Sequence, residues 1–118
     1  MDTGYICIDE NIFETLVAVS EKDQSMGLMF QPEPTPVMSF VYASPKINKF
    51  WMKNTPSSLD IVFCCNGVVT EICKGEPFST STIGGNKLSD LIVEFPFGTV
   101  KNMNIKIGSE VVLQSKNA

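Results

Sequence analysis

Apolar and polar positions alternate in short runs along most of this chain, and the runs are interrupted by proline, glycine and asparagine. Gly4 to Asp9 and Ile12 to Val19 carry β-branched and aromatic residues on either side of the polar Asp9-Glu10-Asn11 break, which predicts two strands and a turn. The period then changes. Ser20 followed by Asp23 matches a capped helix start, and Glu21, Lys22, Asp23 and Gln24 would solvate a short helix ending near Gly27. The prolines between Pro32 and Pro36 lack backbone donors and fix φ, so that stretch reads as a loop. Strand patterning resumes from Val37 to Ala43, turns at Pro45-Lys46 and continues from Asn48 to Lys53. Residues 76–90 are rich in Ser, Thr and Gly with little periodicity, which predicts a long surface loop. A buried-looking strand at Leu91 to Phe95, one or two helical turns between Phe97 and Met103, and a closing strand pair from Ile105 to Leu113 around Gly108 complete the pattern. About seven or eight short strands with one or two brief helices predict a mainly β, single-domain fold over residues 1–118, a small barrel or half-open β-sandwich.

Asn66-Gly67, between LDIVFCC and VVTEICK, is the sharpest local signal, because Asn-Gly suits the two positive-φ positions of a type I′ hairpin turn. Counting outward pairs Cys65 with Val68, Phe63 with Thr70 and Ile61 with Ile72 on a core face. Cys64 with Val69, Val62 with Glu71 and Asp60 with Cys73 fall on a second face that reads as partly covered or lining a groove. The segment before it, Asn48 to Lys53, reads as another hairpin partner of Leu59 to Cys65. Placing Lys53 opposite Asp60 turns Phe50 and Met52 toward the core, whereas a one-residue slip would bury Lys49 and Lys53 at a cost of several kcal/mol. That register gathers Trp51, Lys53, Asp60 and Val62 on the second face, with Asn54 and Thr55 at the mouth of the turn.

Composition narrows the range of functions. A chain of 118 residues, 43% hydrophobic and 19% charged, is long enough for one self-sufficient core and argues against disorder. A net charge of −4, with no cluster of lysines interleaved with aromatics, argues against a nucleic-acid partner. Apolar runs such as Ile61 to Cys65 are far short of the roughly 20 residues a membrane helix needs, and the acidic start MDTGYICIDE does not resemble a leader, so a cytoplasmic location is expected of the sequence as it stands. Cys7, Cys64, Cys65 and Cys73 lack CxxC spacing, and adjacent Cys64 and Cys65 in a strand point to opposite faces; buried, reduced thiols with no metal or cofactor are the expectation.

Candidate chemistry concentrates in Phe50 to Asp60, FWMKNTPSSLD, which sets an indole, an ammonium, an amide, hydroxyls and a carboxylate around one turn. There is no histidine or arginine in the chain to join them. These segments also carry a resemblance: GLMF at 27–30, FWMKNT at 50–55, Leu59-Asp60-Ile61, and VEFPFGTVKNMNIKIGSEVVL at 93–113 are similar to domain of unknown function (DUF) family 192 across about residues 12–114. The resemblance implies a small β-rich fold without an established activity, and marks Trp51, Lys53, Asn54 and Asp60 as signature positions. Gln31 stands where relatives usually carry arginine.

Each feature has a plainer structural reading. Lys53 and Asp60 would form a cross-strand ion pair, Trp51 a packing residue, and Asn54 and Thr55 satisfiers of turn backbone. Pairing Lys53 with Ser57 or Ser58 for hydrolysis fails for want of a dry site and a second proton-transfer group. Asp60 with Glu71 lacks a third oxygen ligand for a cation, and Thr82-Ile83-Gly84-Gly85 lacks the lysine and helix of a phosphate loop. Met26, Met29 and Met38 read as core filling. The leading expectation is a non-enzymatic binding or accessory module whose Trp51, Lys53, Asn54 and Asp60 face holds a small ligand or a partner segment. The alternatives are an enzyme using Lys53 and Asp60 for proton transfer, and a structural or assembly protein that presents a sheet edge or the 76–90 loop.

Overall fold

The alternating runs assemble into one seven-stranded sheet in the computed structural model of the chain, which describes residues 1–116. In chain order the elements are β1 (Asp2–Ile8), β2 (Asn11–Ala18), α1 (Glu21–Met26), β3 (Met38–Ile47), β4 (Leu59–Cys65), β5 (Val68–Gly75), β6 (Leu88–Pro96), α2 (Thr99–Asn102) and β7 (Val111–Ser115). The spatial order is β5-β4-β6-β3-β2-β1-β7, and only β2 with β3 run parallel. A parallel pair needs a long crossover. Residues 19–37 supply it, and they lay α1 against one face of the sheet through buried Leu28. The sheet curls until its two edges meet at one end, where Val68 bridges Glu110, the Val69 amide donates to the Ser109 carbonyl, and the Gly108 amide donates to the Val69 carbonyl. The result is a curled half-barrel, mainly β, with two short helices.

Side chains alternate between two cores. Val62, Cys64, Val93 and Phe95 point to one, with Ile6, Ile8, Val69, Ile105 and Val111. Leu59, Ile61, Phe63 and Ile92 point to the other, with Ala18, Leu28, Met38, Phe40 and Met52. β4 and β6 are thus covered on both faces. The expectation that Asp60, Val62 and Cys64 line a half-covered face is corrected, because all three are buried.

The Asn66-Gly67 turn forms as predicted, with φ of 51° and 80° and with Cys65 opposite Val68 and Cys64 opposite Val69. Beyond that the register slips by one, so Phe63 faces Glu71, Ile61 faces Cys73 and Asp60 faces Lys74. Thr70 is the extra residue, and its hydroxyl donates to the Phe63 carbonyl at 3.2 Å. The predicted hairpin of Asn48–Lys53 on β4 does not form, because β4 pairs with β5 on one edge and β6 on the other. Residues 48–53 instead run outside the sheet. Phe50 bridges Ile83, the Met52 amide donates to the Ser79 carbonyl, and the Phe50 ring packs edge-on against Phe40 and Phe63 with centroids 4.9 and 5.8 Å away. Residues 76–87 are therefore a clamp over this segment rather than a free connection, and residues 88–90, read from the sequence as loop, already belong to β6. The closing strand pair is also corrected, since residues 105–110 turn and only β7 is a strand.

Gly84 makes the clamp possible. It holds φ at +76°, and an added Cβ would overlap the Phe63 ring. Gly84→Ala should lower unfolding free energy by about 2–3 kcal/mol in urea titration, through the positive φ and the overlap together; a loss within experimental error would show that the clamp does not hold this segment.

Candidate functional site

The four signature residues do not converge. Asp60 is buried, and its Oδ2 accepts from the backbone amides of Gly98 and Val100, each at 3.0 Å. Those amides begin α2, whose N-terminal Gly98 supplies no capping side chain of its own. Asp60 is thus a long-range helix cap that ties β4 to the β6–α2 turn. Lys53 is exposed and lies over the Trp51 ring at 5.2 Å, and among the described residues no ion pair joins it to Asp60. Asn54 sits at the turn with φ of 55°, and its carbonyl accepts from the Phe30 amide at 2.7 Å. The Thr55 hydroxyl donates to the Lys53 carbonyl at 3.1 Å, as a turn residue does. Asp60 and Glu71 do not pair either. Asp60 shares a face with Phe95, whereas Glu71 lies opposite Phe63 on the other and accepts from the Asn86 side chain at 2.6 Å.

A cleft of about 370 Å³ opens between α1 with the turn that follows it and the β3–Trp51 segment. Trp51, half exposed at 49%, stands at its mouth with the exposed side chains of Lys46, Lys49 and Glu21. Phe40, Tyr42 and Phe50 contribute aromatic wall, and Glu94 forms part of the base. Of the four signature residues, Trp51 alone lines this cleft.

Local sequence explains how the cleft is held open. Ser20 accepts from the Asp23 amide at 3.1 Å and starts α1, and Gly27 ends it at a φ of 50°. The Gln24 side chain then donates to the Ala18 and Val41 carbonyls at 3.1 and 2.9 Å. These bonds pin α1 where β3 leaves β6, for the β3–β6 register breaks between Val41 and Lys46. Tyr42 lies in that break. Asn48 closes the far end by donating to the Ser89 carbonyl and hydroxyl, both at 2.9 Å.

Glu94 is the unusual group. It lies on central β6, opposite Met38 of β3 and Ile61 of β4, so its strand neighbours offer the carboxyl no donor. It is 4% exposed, and Oε1 is shielded from water without a hydrogen-bond partner among the described residues. Burial pushes its pKa up from 4.5 to about 8, which keeps it protonated at neutral pH. Tyr42, half-buried, is itself pushed above its ordinary value by burial and by the nearby Glu94 carboxyl. Sequence reasoning passed over Glu94, although an acid inside the apolar run LIVEFP was the available signal.

Elsewhere the chemistry is quiet. All four cysteines are free thiols; burial raises Cys64 to about 12, and burial with Glu71 raises Cys73 to about 11, so both are poor nucleophiles. Among the described residues no group of three or more His, Cys, Asp or Glu side chains could hold a metal ion, and no helix is long and apolar enough to cross a membrane.

The chain belongs to the DUF192 family of uncharacterized ACR proteins, whose sequence profile matches residues 5–113. No curated protein matches it significantly. Its fold is similar to that of a Sinorhizobium meliloti 1021 protein provisionally described as a transcription regulator, with TM-score 0.89, 22% identity and coverage of 94% of this chain and 93% of that one. It is similar also to a protein of unknown function from Novosphingobium aromaticivorans DSM 12444, with TM-score 0.87, 24% identity and coverage of 93% and 84%.

Two outcomes follow from the geometry. Asp60→Ala strips two amides of their acceptor and should cost about 2–3 kcal/mol of stability, with Asp60→Asn costing less because one oxygen remains; equal stability of Asp60→Ala and the parent would refute the cap. Glu94 binds more protons folded than unfolded between about pH 4.5 and 8, so its contribution to stability falls as pH rises through that window. The difference in unfolding free energy between Glu94→Gln and the parent should therefore grow in favour of Gln by about 1.4 kcal/mol per pH unit there. A pH-independent difference would mean that the carboxyl is ionised in the folded chain.

Proposed function

For a DUF192 member with this cleft, we propose a non-enzymatic binding module that holds a small ligand between α1 and β3. Glu94 carries the reading. A shielded carboxyl oxygen without a partner costs about 1–3 kcal/mol of stability, and a ligand that supplied the missing donor would offset that cost. The volume of about 370 Å³ falls within the range of small-molecule sites, and the lining combines the Phe40, Tyr42, Phe50 and Trp51 rings with charged and amide side chains that can fix a ligand's orientation.

In this reading the signature residues have unequal parts. Trp51 supplies contact at the mouth, Lys53 braces the Trp51 ring from outside, Asn54 shapes the turn, and Asp60 acts at a distance through the scaffold. A net charge of −4 is a poor basis for holding a phosphate backbone, so a nucleic-acid partner is not part of this reading. A second reading as a proton-transfer enzyme draws on Glu94 rather than on Lys53 and Asp60, since a carboxyl titrating at about 8 is what a general acid needs near neutrality. Turnover abolished by Glu94→Gln would support it; unaltered binding chemistry with no product would support the module.

Trp51 reports occupancy. Screening a metabolite library at neutral pH should reveal compounds that shift its emission, since this is the single tryptophan and it stands at the mouth. A response should weaken on Glu94→Gln. Flat emission across the library would contradict the module.

A further inference from the structure

The cleft has two poles of opposite character. At its base is the Glu94 carboxyl, with Oε1 unpartnered and close to both the Phe40 ring and Gly27: a Cβ on Gly27 would lie 3.8 Å from Oε1 and 3.7 Å from Phe40 Cζ. The Phe40, Tyr42 and Phe50 rings line the cleft beside it. At the mouth the exposed ammonium groups are those of Lys46 and Lys49, with Lys46 lying over the Tyr42 ring at 4.7 Å.

We propose that the cleft takes a small zwitterion of the amino-acid type, with its ammonium against the Glu94 carboxyl beside Phe40 and Tyr42, and its carboxylate toward Lys46 and Lys49. This rests on the binding-module reading of the same cleft and names its ligand class. A buried acid facing aromatic rings discriminates against an anion at the base, and the lysines discriminate against a simple cation at the mouth. A molecule with both charges satisfies each pole in the one orientation that puts its ammonium deepest. Its side chain would lie along the Phe50 and Trp51 wall. The volume of about 370 Å³ admits an aliphatic or aromatic amino acid.

Binding has a proton balance. An α-ammonium is protonated in solution at pH 7, and so is the empty site's Glu94; forming the ammonium–carboxylate pair expels the carboxyl proton to the buffer. The charged and titratable groups that line the cleft with Glu94 are Tyr42 and Lys46 of β3, Glu21 of α1 and Lys49 of the segment after β3; burial raises Glu94 to about 8, and burial together with Glu94 raises Tyr42.

The experiment is titration calorimetry on the full chain at pH 7, in buffers of different ionisation enthalpy. The probes are L-leucine and L-phenylalanine, their decarboxylated analogues 3-methylbutylamine and phenethylamine, and their deaminated analogues 4-methylpentanoate and 3-phenylpropionate. At least one amino acid should bind about tenfold or more tighter than both of its analogues and release close to one proton. Glu94→Gln should weaken the amino acid and the amine, spare the acid and abolish proton release. The Lys46→Ala/Lys49→Ala double variant, altered only at exposed positions, should weaken the amino acid and the acid and spare the amine. Amino acids that bind no better than their analogues would overturn the proposal on the native protein, without recourse to any variant. Silence from all six probes alongside a Trp51 response to neutral compounds would overturn the zwitterion and leave the cleft a binding site. Silence from every compound in both assays would overturn both readings.

Discussion

Both hydrogen-bonding edges of β4 are occupied, one by β5 and the other by β6, and this limit decides where every candidate group stands. A strand has two edges, so residues 48–53 have no ladder to join and must satisfy their backbone elsewhere. They do so against residues 76–87, through Phe50 with Ile83 and Met52 with Ser79. Excluded from the sheet, the segment becomes a cover over the core of Phe40, Phe63 and Met52, and its outward residue Trp51 becomes the mouth of a cleft. β6 lies between β4 and β3 with both of its faces covered, so an acid on it is cut off from water.

Glu94 is the consequence. Opposite Met38 of β3 and Ile61 of β4, on a covered face of the sheet, it is shielded from water, and burial holds it neutral. Protonation lessens the cost of that burial without removing it, because a neutral carboxyl still forgoes the hydrogen bonds that water would supply. Asp60 shows how this fold treats a buried acid that serves the scaffold, giving it two amide donors. Two buried acids on adjacent strands thus differ: Asp60 Oδ2 is satisfied by two backbone amides, whereas Glu94 Oε1 has no hydrogen-bond partner among the described residues.

Much of the fold was legible where the signal is local. Ser20, Asp23 and Gly27 set the bounds of α1, and Asn66-Gly67 fixed the turn, because each acts through backbone groups within a few residues. The inward facing of Phe50 and Met52 was also readable, since alternation reports which side a residue faces. It does not report the partner. The hairpin on β4 therefore failed while the sidedness of Phe50 and Met52 held. Thr70 carries no mark that distinguishes a bulge from a strand interior, so the register beyond Cys64 could not be counted from the turn. The role of Asp60 depends on amides 38 and 40 residues away, and no local pattern announces such a bond. Glu94 had a visible signal in LIVEFP, but that signal acquires meaning only once both faces of β6 are known to be covered.

The charge state of the Glu94 side chain decides the character of the cleft. Carbon-detected NMR of the Glu94 carboxyl, followed through pH and assigned by comparison with Glu94→Gln, reads it without reference to stability or ligand. A midpoint at about 8 is expected in the empty protein. A midpoint near the ordinary carboxylate value of 4.5 would mean that the group is hydrated or paired, and the base of the cleft would then be no different from any other exposed acid.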